Sequence, residues 1–310
     1  MAELNLYDLN LWAKEPEKMI ENAEEKYHSR IERIAKYVTE NPEIRLILLA
    51  GPSGSGKTTS ANLIADNIRR LGEEAEVISL DDFYRDHDDP SYPKNLNGTH
   101  DYERPDSLNL PLLCSTLLDI VENRPFSVPK YDFKEGRCVS VAEKNPVGNG
   151  CVIIEGLHAM NPLISENLPA EKVVKLFVSV STNINHEGKR IISGRKVRFL
   201  RRLVRDSIYR GADAIRTLNL WRGVLEAEDI YLYPYKSTAD LAFDTFHPFE
   251  LGAMKKRAEA LLDIKELEGD GYTVVVLNAI KHIDPVDDSL IPENSLIREF
   301  IAGGIYDDIY

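Results

Sequence analysis

The run Gly51-Pro-Ser-Gly-Ser-Gly-Lys57-Thr58 spaces its glycines, lysine and hydroxyl as G-x-x-x-x-G-K-[ST]. Glycines let a backbone curl until successive N–H groups point inward, which makes a nest for phosphate oxygens. A helix starting directly after such a nest adds the partial positive charge of its N-terminus. Lys57 is then placed to reach the β- and γ-phosphates of ATP, and the Thr58 hydroxyl to ligate Mg²⁺. Gly51, Ser53, Gly54, Ser55, Gly56, Lys57, Thr58 and Thr59 are accordingly the candidate ATP-binding residues.

Three further groups bear on what such a nest would do. Asp81, in Ser79-Leu-Asp-Asp-Phe-Tyr84, follows an extended segment. There it could accept the proton of an attacking hydroxyl; alternatively Asp81 or Asp82 simply caps the next helix. Spacing alone leaves both open. Glu155 ends the apolar run Cys151-Val-Ile-Ile-Glu-Gly156 and could hold Mg²⁺ or its water shell. Arg198, Arg201, Arg202 and Arg205 recur at i, i+3, i+4 and i+7, on one helix face. Guanidinium groups suit transferring phosphoryl oxygens; the blander reading is a solvated face with local ion pairs.

Elements of a particular kind must position these groups. Residues 44–50 form a short apolar run, as expected of a strand buried on both faces of a parallel sheet. A helix is expected over 57–71 and a strand over 76–80, completing a βαβ unit. Residues 85–106 read as a long polar loop, 108–122 as a helix and 128–133 as extended. Further strands are expected at 151–154, 173–180 and 241–243, and further helices at 195–210, 213–228 and 250–267. Residues 15–40 show the spacing of an amphipathic helix. Residues 272–283 could be strand, by their TVVVL, or helix. The order implies an α/β fold, a doubly wound and mostly parallel sheet.

The composition narrows the class. The chain has 310 residues, of which 43% are apolar, enough for a large core. A net charge of −13 opposes a role in binding nucleic acid. Three cysteines without CxxC spacing argue against a disulfide framework or zinc site. No signal peptide or membrane-spanning run is evident, so a cytoplasmic protein without a membrane partner is expected. The sequence leaves the oligomeric state open, a homo-oligomer included.

Together the segments GPSGSGKTT, DDFYR, YERPDS, VPKYDF, IIEG and RFLRRLVRD resemble the uridine kinase / phosphoribulokinase family of P-loop NTPases, in that family's order. EGLHAMNP, YLYPYKSTAD and IPENSLIREFIAGG are similar to a bacterial subgroup of uridine kinase-like nucleoside kinases. The resemblance implies a P-loop kinase domain over 43–247 with an arginine-bearing lid at about 185–235. Helical extensions over 1–42 and 248–310 would flank it. It implies ATP and Mg²⁺ as cofactors, and transfer to the 5′-hydroxyl of a nucleoside in nucleoside salvage. Asp81 would be the catalytic base, with Lys57, Arg201 and Arg205 on the phosphates. Glu103 or the nearby Asp101 would hold the ribose, Tyr131 would line the base pocket, and Arg198 would meet the sugar. Thr58 and Glu155 would serve the metal.

The chain also departs from the family. Uridine kinases carry a base-reading His shortly after the YDF segment, where this chain has Lys134-Glu-Gly-Arg137. Where the subgroup has an Asp before the lid arginines, this chain has Arg195-Lys-Val197. Two alternatives therefore stand beside the nucleoside. One is a kinase of another small hydroxyl substrate, such as a sugar phosphate or pantothenate-like acid. The other is a low-activity nucleotide-binding regulatory module.

Overall fold

A computed structural model describes residues 2–95 and 98–309. Met1, Leu96, Asn97 and Tyr310 lie outside them, and so do those parts of the expected terminal extensions and of the 85–106 loop.

Strand β1 (Glu3–Asn5), helix α1 (Leu6–Trp12) and helix α2 (Pro16–Glu40) come first. There follow β2 (Leu46–Ala50), α3 (Lys57–Arg70) and β3 (Ala75–Ser79), the expected βαβ unit. Next are α4 (Leu110–Val121), the hairpin β4 (Phe126–Asp132) and β5 (Arg137–Lys144), β6 (Cys151–Gly156), the one-turn α5 (Pro162–Ser165) and β7 (Val173–Ser179). The chain continues through β8 (Asn183–His186), β9 (Lys189–Ile192), α6 (Gly194–Tyr209), α7 (Ala214–Tyr231) and β10 (Leu241–Asp244). Helices α8 (Glu250–Leu262), α9 (Gly271–Lys281) and the short α10 (Arg298–Ile301) complete it.

The main sheet is wholly parallel, in the order β10-β7-β2-β6-β3. β2 lies at its centre, and every one of its residues is buried. Its side chains divide by parity. Ile47 and Leu49 join the apolar layer that includes α2, α3, α6 and α8. Leu46, Leu48 and Ala50 join the layer that includes α4 and α5. Helices on both faces leave no polar side for the strand, hence its unbroken apolar spelling.

Helix α2 lies along α3, with Ile31, Ile34 and Val38 buried and the Tyr27 hydroxyl 2.9 Å from Ser60 Oγ. Helix α4 opens two residues later than expected, because the Asn109 side chain accepts the Leu112 N–H and Pro111 occupies the first turn. The ambiguous 272–283 segment is helix. Asp270 caps it by accepting the Thr273 N–H, and Val276, Ala279 and Ile280 turn inward at helical spacing. Capping and packing override β-branching there. The helix expected over 250–267 stops at Leu262, and a separate 3₁₀ turn carries Lys265–Leu267. Sequence reading missed β1, which pairs in parallel with β8, and the β8–β9 hairpin.

Candidate active site

Ligands of open α/β sheets gather at the carboxyl ends of the strands. Here a cleft of about 690 Å³ opens over the ends of β2, β3 and β6. Gly54, Gly56, Lys57, Thr58, Asp81, Glu103, Tyr131 and Glu155 all line it.

Gly54 and Gly56 have φ of +71° and +82°, the left-handed region that L side chains avoid. A Cβ on Gly54 would sit 2.8 Å from the Arg198 carbonyl, and one on Gly56 would sit 2.5 Å from Leu296. The Thr58 hydroxyl donates to Glu155 at 3.3 Å. A hydroxyl and a carboxylate so placed fit Mg²⁺, which takes one or two protein oxygens and leans on phosphates and water for the rest. Among the described residues no group of three or more His, Cys, Asp or Glu forms a self-sufficient metal cage. Burial pushes the Glu155 carboxyl up to about 7, against the pull of Lys57.

The two adjacent aspartates have different jobs. Asp82 accepts the Tyr131 N–H and pairs with Lys130 at 3.1 Å, tying β4 to the turn after β3. Asp81 looks into the cleft. The cap of that turn is Ser79, whose hydroxyl accepts the Asp81 N–H at 3.2 Å. The capping alternative for Asp81 therefore falls away. The Asp81 side chain is exposed to the cleft and ringed by protein. That enclosure raises its pKa, while Lys57 opposes the rise.

The arginine face of α6 splits in two. Arg202 and Arg205 line the cleft, joined by Arg210. Arg198 and Arg201 do not; both are wholly buried. Arg198 forks onto Glu228 at 2.7 and 2.8 Å and donates to the Ser53 carbonyl at 2.7 Å. Arg201 forks onto Glu250 at 2.5 and 3.0 Å and donates to the Gly54 carbonyl at 3.2 Å. Thr245 Oγ1 donates to the Ser55 carbonyl at 2.7 Å. Three successive carbonyls of the loop are thus held from behind. The expectation that Arg198 meets a sugar and Arg201 the phosphates needs correcting for this conformation. Each guanidinium pairs with a buried carboxylate and a loop carbonyl instead of facing the cleft.

Four other expected residues, Gly51, Ser55, Thr59 and Asp101, lie off the cleft surface. Asp101 accepts the Glu103 N–H at 3.1 Å and so shapes the turn carrying Glu103. Thr59 points away, donating to Glu299 at 2.8 Å. Ser55 is fully buried beneath the loop. Sequence reading had no signal for Glu228, Glu250 or Thr245, because their partners are distant along the chain. Nor did it anticipate Glu299, brought to the cleft by α10.

Beyond Asp81 the cleft is walled by Tyr84, Tyr102, Tyr131 and Phe133. Their ring centroids stand 5.1 to 5.8 Å apart, tilted or edge to face. His87 backs this wall, with Nε2 2.5 Å from the Tyr102 hydroxyl.

A parallel sheet with a glycine-rich phosphate loop, a lysine and a facing carboxylate defines a P-loop phosphotransferase. The model of the Phosphoribulokinase / Uridine kinase family matches residues 46–249, and the chain belongs to that family. Its relatives include a uridine kinase of Lactobacillus helveticus, 29% identical over 198 residues, which are 63% of this chain and 84% of the relative. A uridine kinase of Deinococcus deserti is 31% identical over 166 residues, 54% of this chain and 70% of the relative. A uridine kinase of Schizosaccharomyces pombe is 28% identical over 207 residues, and the match spans only 40% of its length. Among solved structures, a possible uridine kinase from Bacillus stearothermophilus aligns at 18% identity with a TM-score of 0.47. That alignment covers 71% of this chain and all of the other.

Proposed function

We propose that the protein transfers the γ-phosphate of ATP to the 5′-hydroxyl of a nucleoside. The observation that carries this reading is the continuity of the cleft. It runs from the phosphate loop at Lys57 and Thr58, past Asp81, to an aromatic wall with Glu103 beside it. Aromatic faces suit a planar base, and a carboxylate suits the hydroxyls of a ribose. Asp81 would orient the attacking hydroxyl and take its proton. Lys57, Arg202 and Arg205 would balance charge on the moving phosphoryl group. Thr58 and Glu155 would hold Mg²⁺, which when bound would supply charge neutralisation for the phosphates.

A phosphorylated acceptor would want free cations near the aromatic wall. The basic residues of that region are mostly engaged. Arg85 pairs with Asp89, Arg104 with Asp106 and Arg137 with Glu135; of these three and Lys94, Lys130 and Lys134, only Lys130 lines the cleft, and it pairs with Asp82. This favours an uncharged acceptor. The test is ADP release with Mg²⁺ and ATP, with and without uridine, cytidine, adenosine, a pentose phosphate and pantothenate. Stimulation by a nucleoside of tenfold or more over hydrolysis is expected. Stimulation by pantothenate or the pentose phosphate alone, or by nothing, would overturn the reading.

A further inference from the structure

His158 lies two residues past the end of β6 and is 4% exposed, yet it lines the cleft. Neither of its ring nitrogens has a hydrogen-bond partner among the described residues. Its ring meets Tyr231 edge-on at 6.0 Å, and the backbone of Glu103 lies beside it without closing a well-aligned bond. Leaving buried polar atoms unpaired is costly. Such atoms need a reason to persist, and a ligand is one.

The surroundings indicate which ligand. The Tyr131 hydroxyl, on the same cleft, is also buried and unpartnered. Glu103 uses its backbone N–H on Asp101, while its carboxylate faces the cleft. One carboxylate, one imidazole and one phenol thus surround the acceptor end with open hydrogen-bonding capacity. A charged phosphate or carboxylate would call for an imidazolium. Burial works the other way, pushing the His158 pKa down to about 4 and keeping the ring neutral at pH 7. A neutral imidazole donates at one nitrogen and accepts at the other. A hydroxyl group likewise does both.

Building on the phosphotransferase reading above, we propose that His158 reads a hydroxyl of the acceptor, sharing a polyol with Glu103. The acceptor it selects carries neighbouring free hydroxyls on an uncharged sugar-like body.

The test compares wild type with His158→Phe, which keeps the ring volume, and His158→Gln, which keeps a donor and an acceptor. Each is assayed with uridine, 2′-deoxyuridine and 3′-deoxyuridine, and each is titrated with ATP and Mg²⁺ alone. The Phe variant should raise the KM for uridine tenfold or more, with kcat within threefold and nucleotide Kd within twofold. Its preference for uridine over one of the deoxy analogues should collapse toward one. The Gln variant should recover most of both losses. A merely structural histidine would leave that preference untouched. Should the Phe variant fail to fold, wild type supplies the answer. The imidazole ¹⁵N signal that is lost in His158→Gln must shift when uridine saturates the protein.

The proposal is overturned by an unchanged KM and unchanged preference in the Phe variant, or by an unmoved ¹⁵N signal. The nucleoside reading fails separately. If wild type refuses nucleosides but phosphorylates an uncharged polyol such as D-ribose or glycerol, the same variants are read on that acceptor and only the nucleoside is lost. Transfer to D-glycerate or pantothenate alone, both carboxylates, overturns this proposal as well. Turnover of no acceptor would sink both.

Discussion

Arg198 and Glu228 form a fork of two hydrogen bonds, 2.7 and 2.8 Å long, and both also grip Ser53. The guanidinium donates to the Ser53 carbonyl at 2.7 Å, and the carboxylate accepts the Ser53 N–H at 2.9 Å. Trp221 lies under the guanidinium, 5.4 Å from ring centroid to carbon. The pair sets the attitude of the phosphate loop from the side opposite the cleft.

Removing one partner of this pair strands the other charge in the interior, which costs about 3–5 kcal/mol. Arg198→Met should therefore lower the urea-unfolding free energy by that order, because neither side chain has solvent to fall back on. Arg205, whose side chain lines the cleft, should behave differently. Arg205→Gln should reduce turnover tenfold or more and shift the unfolding midpoint little. Equal stability losses in the two variants would contradict the division of the α6 face.

Asp81→Asn should reduce kcat by about 10²- to 10⁴-fold, the usual contribution of a general base. Nucleotide affinity, read by calorimetry, should stay near that of wild type. Near-normal turnover would remove Asp81 from the chemistry.

The pH dependence of Mg²⁺-nucleotide binding should report Glu155. Its carboxyl is raised to about 7, so near neutrality roughly half the free protein holds a proton there. A metal-facing carboxylate must be ionised, so affinity should rise between pH 6 and 8, with proton release on binding. Calorimetry in two buffers of different ionisation enthalpy measures that release. Stability has the opposite sign. A raised carboxyl favours the fold below the ordinary value of 4.5 and forfeits that support as pH climbs through 7. Glu155→Gln should flatten both trends.

Gly56→Ala should destabilise the protein twice over. The residue sits at φ +82°, which costs an L side chain about 1–2 kcal/mol. Its new methyl would also overlap Leu296, adding about 1–3 kcal/mol of overpacking. Leu296→Ala in the same chain should recover the second part and not the first. Thermal unfolding of the single and double variants separates them.

The phosphate loop and the sheet were readable because each is written locally. Residues 44–58 carry strand, nest and helix start within one short stretch. The aspartate pair was less readable, since only the pairing of Asp82 with Lys130 and Tyr131 shows which carboxylate is free for the cleft. The arginine face was readable as a face but not as a division of labour. Helical spacing brings four guanidiniums to one side of α6. Which of them turn inward depends on Glu228 and Glu250, 30 and 49 residues further on. His158 was unreadable for a similar reason. A lone histidine after a strand has no pattern, and only its surroundings show both nitrogens unmet.

The segment after α9 adds an order of events to synthesis. Thr59 finds its partner Glu299 after 240 further residues, and Leu296 closes under Gly56 from the same stretch. A nascent chain leaving the ribosome can complete every strand of its main sheet by Asp244, with Arg198 and Glu228 already gripping Ser53, while Gly56 and Thr59 still lack Leu296 and Glu299. If the loop binds nucleotide as proposed, its support is complete only once translation has passed Glu299. ATP thereafter acts as a seal, favouring the finished chain over the partly made one.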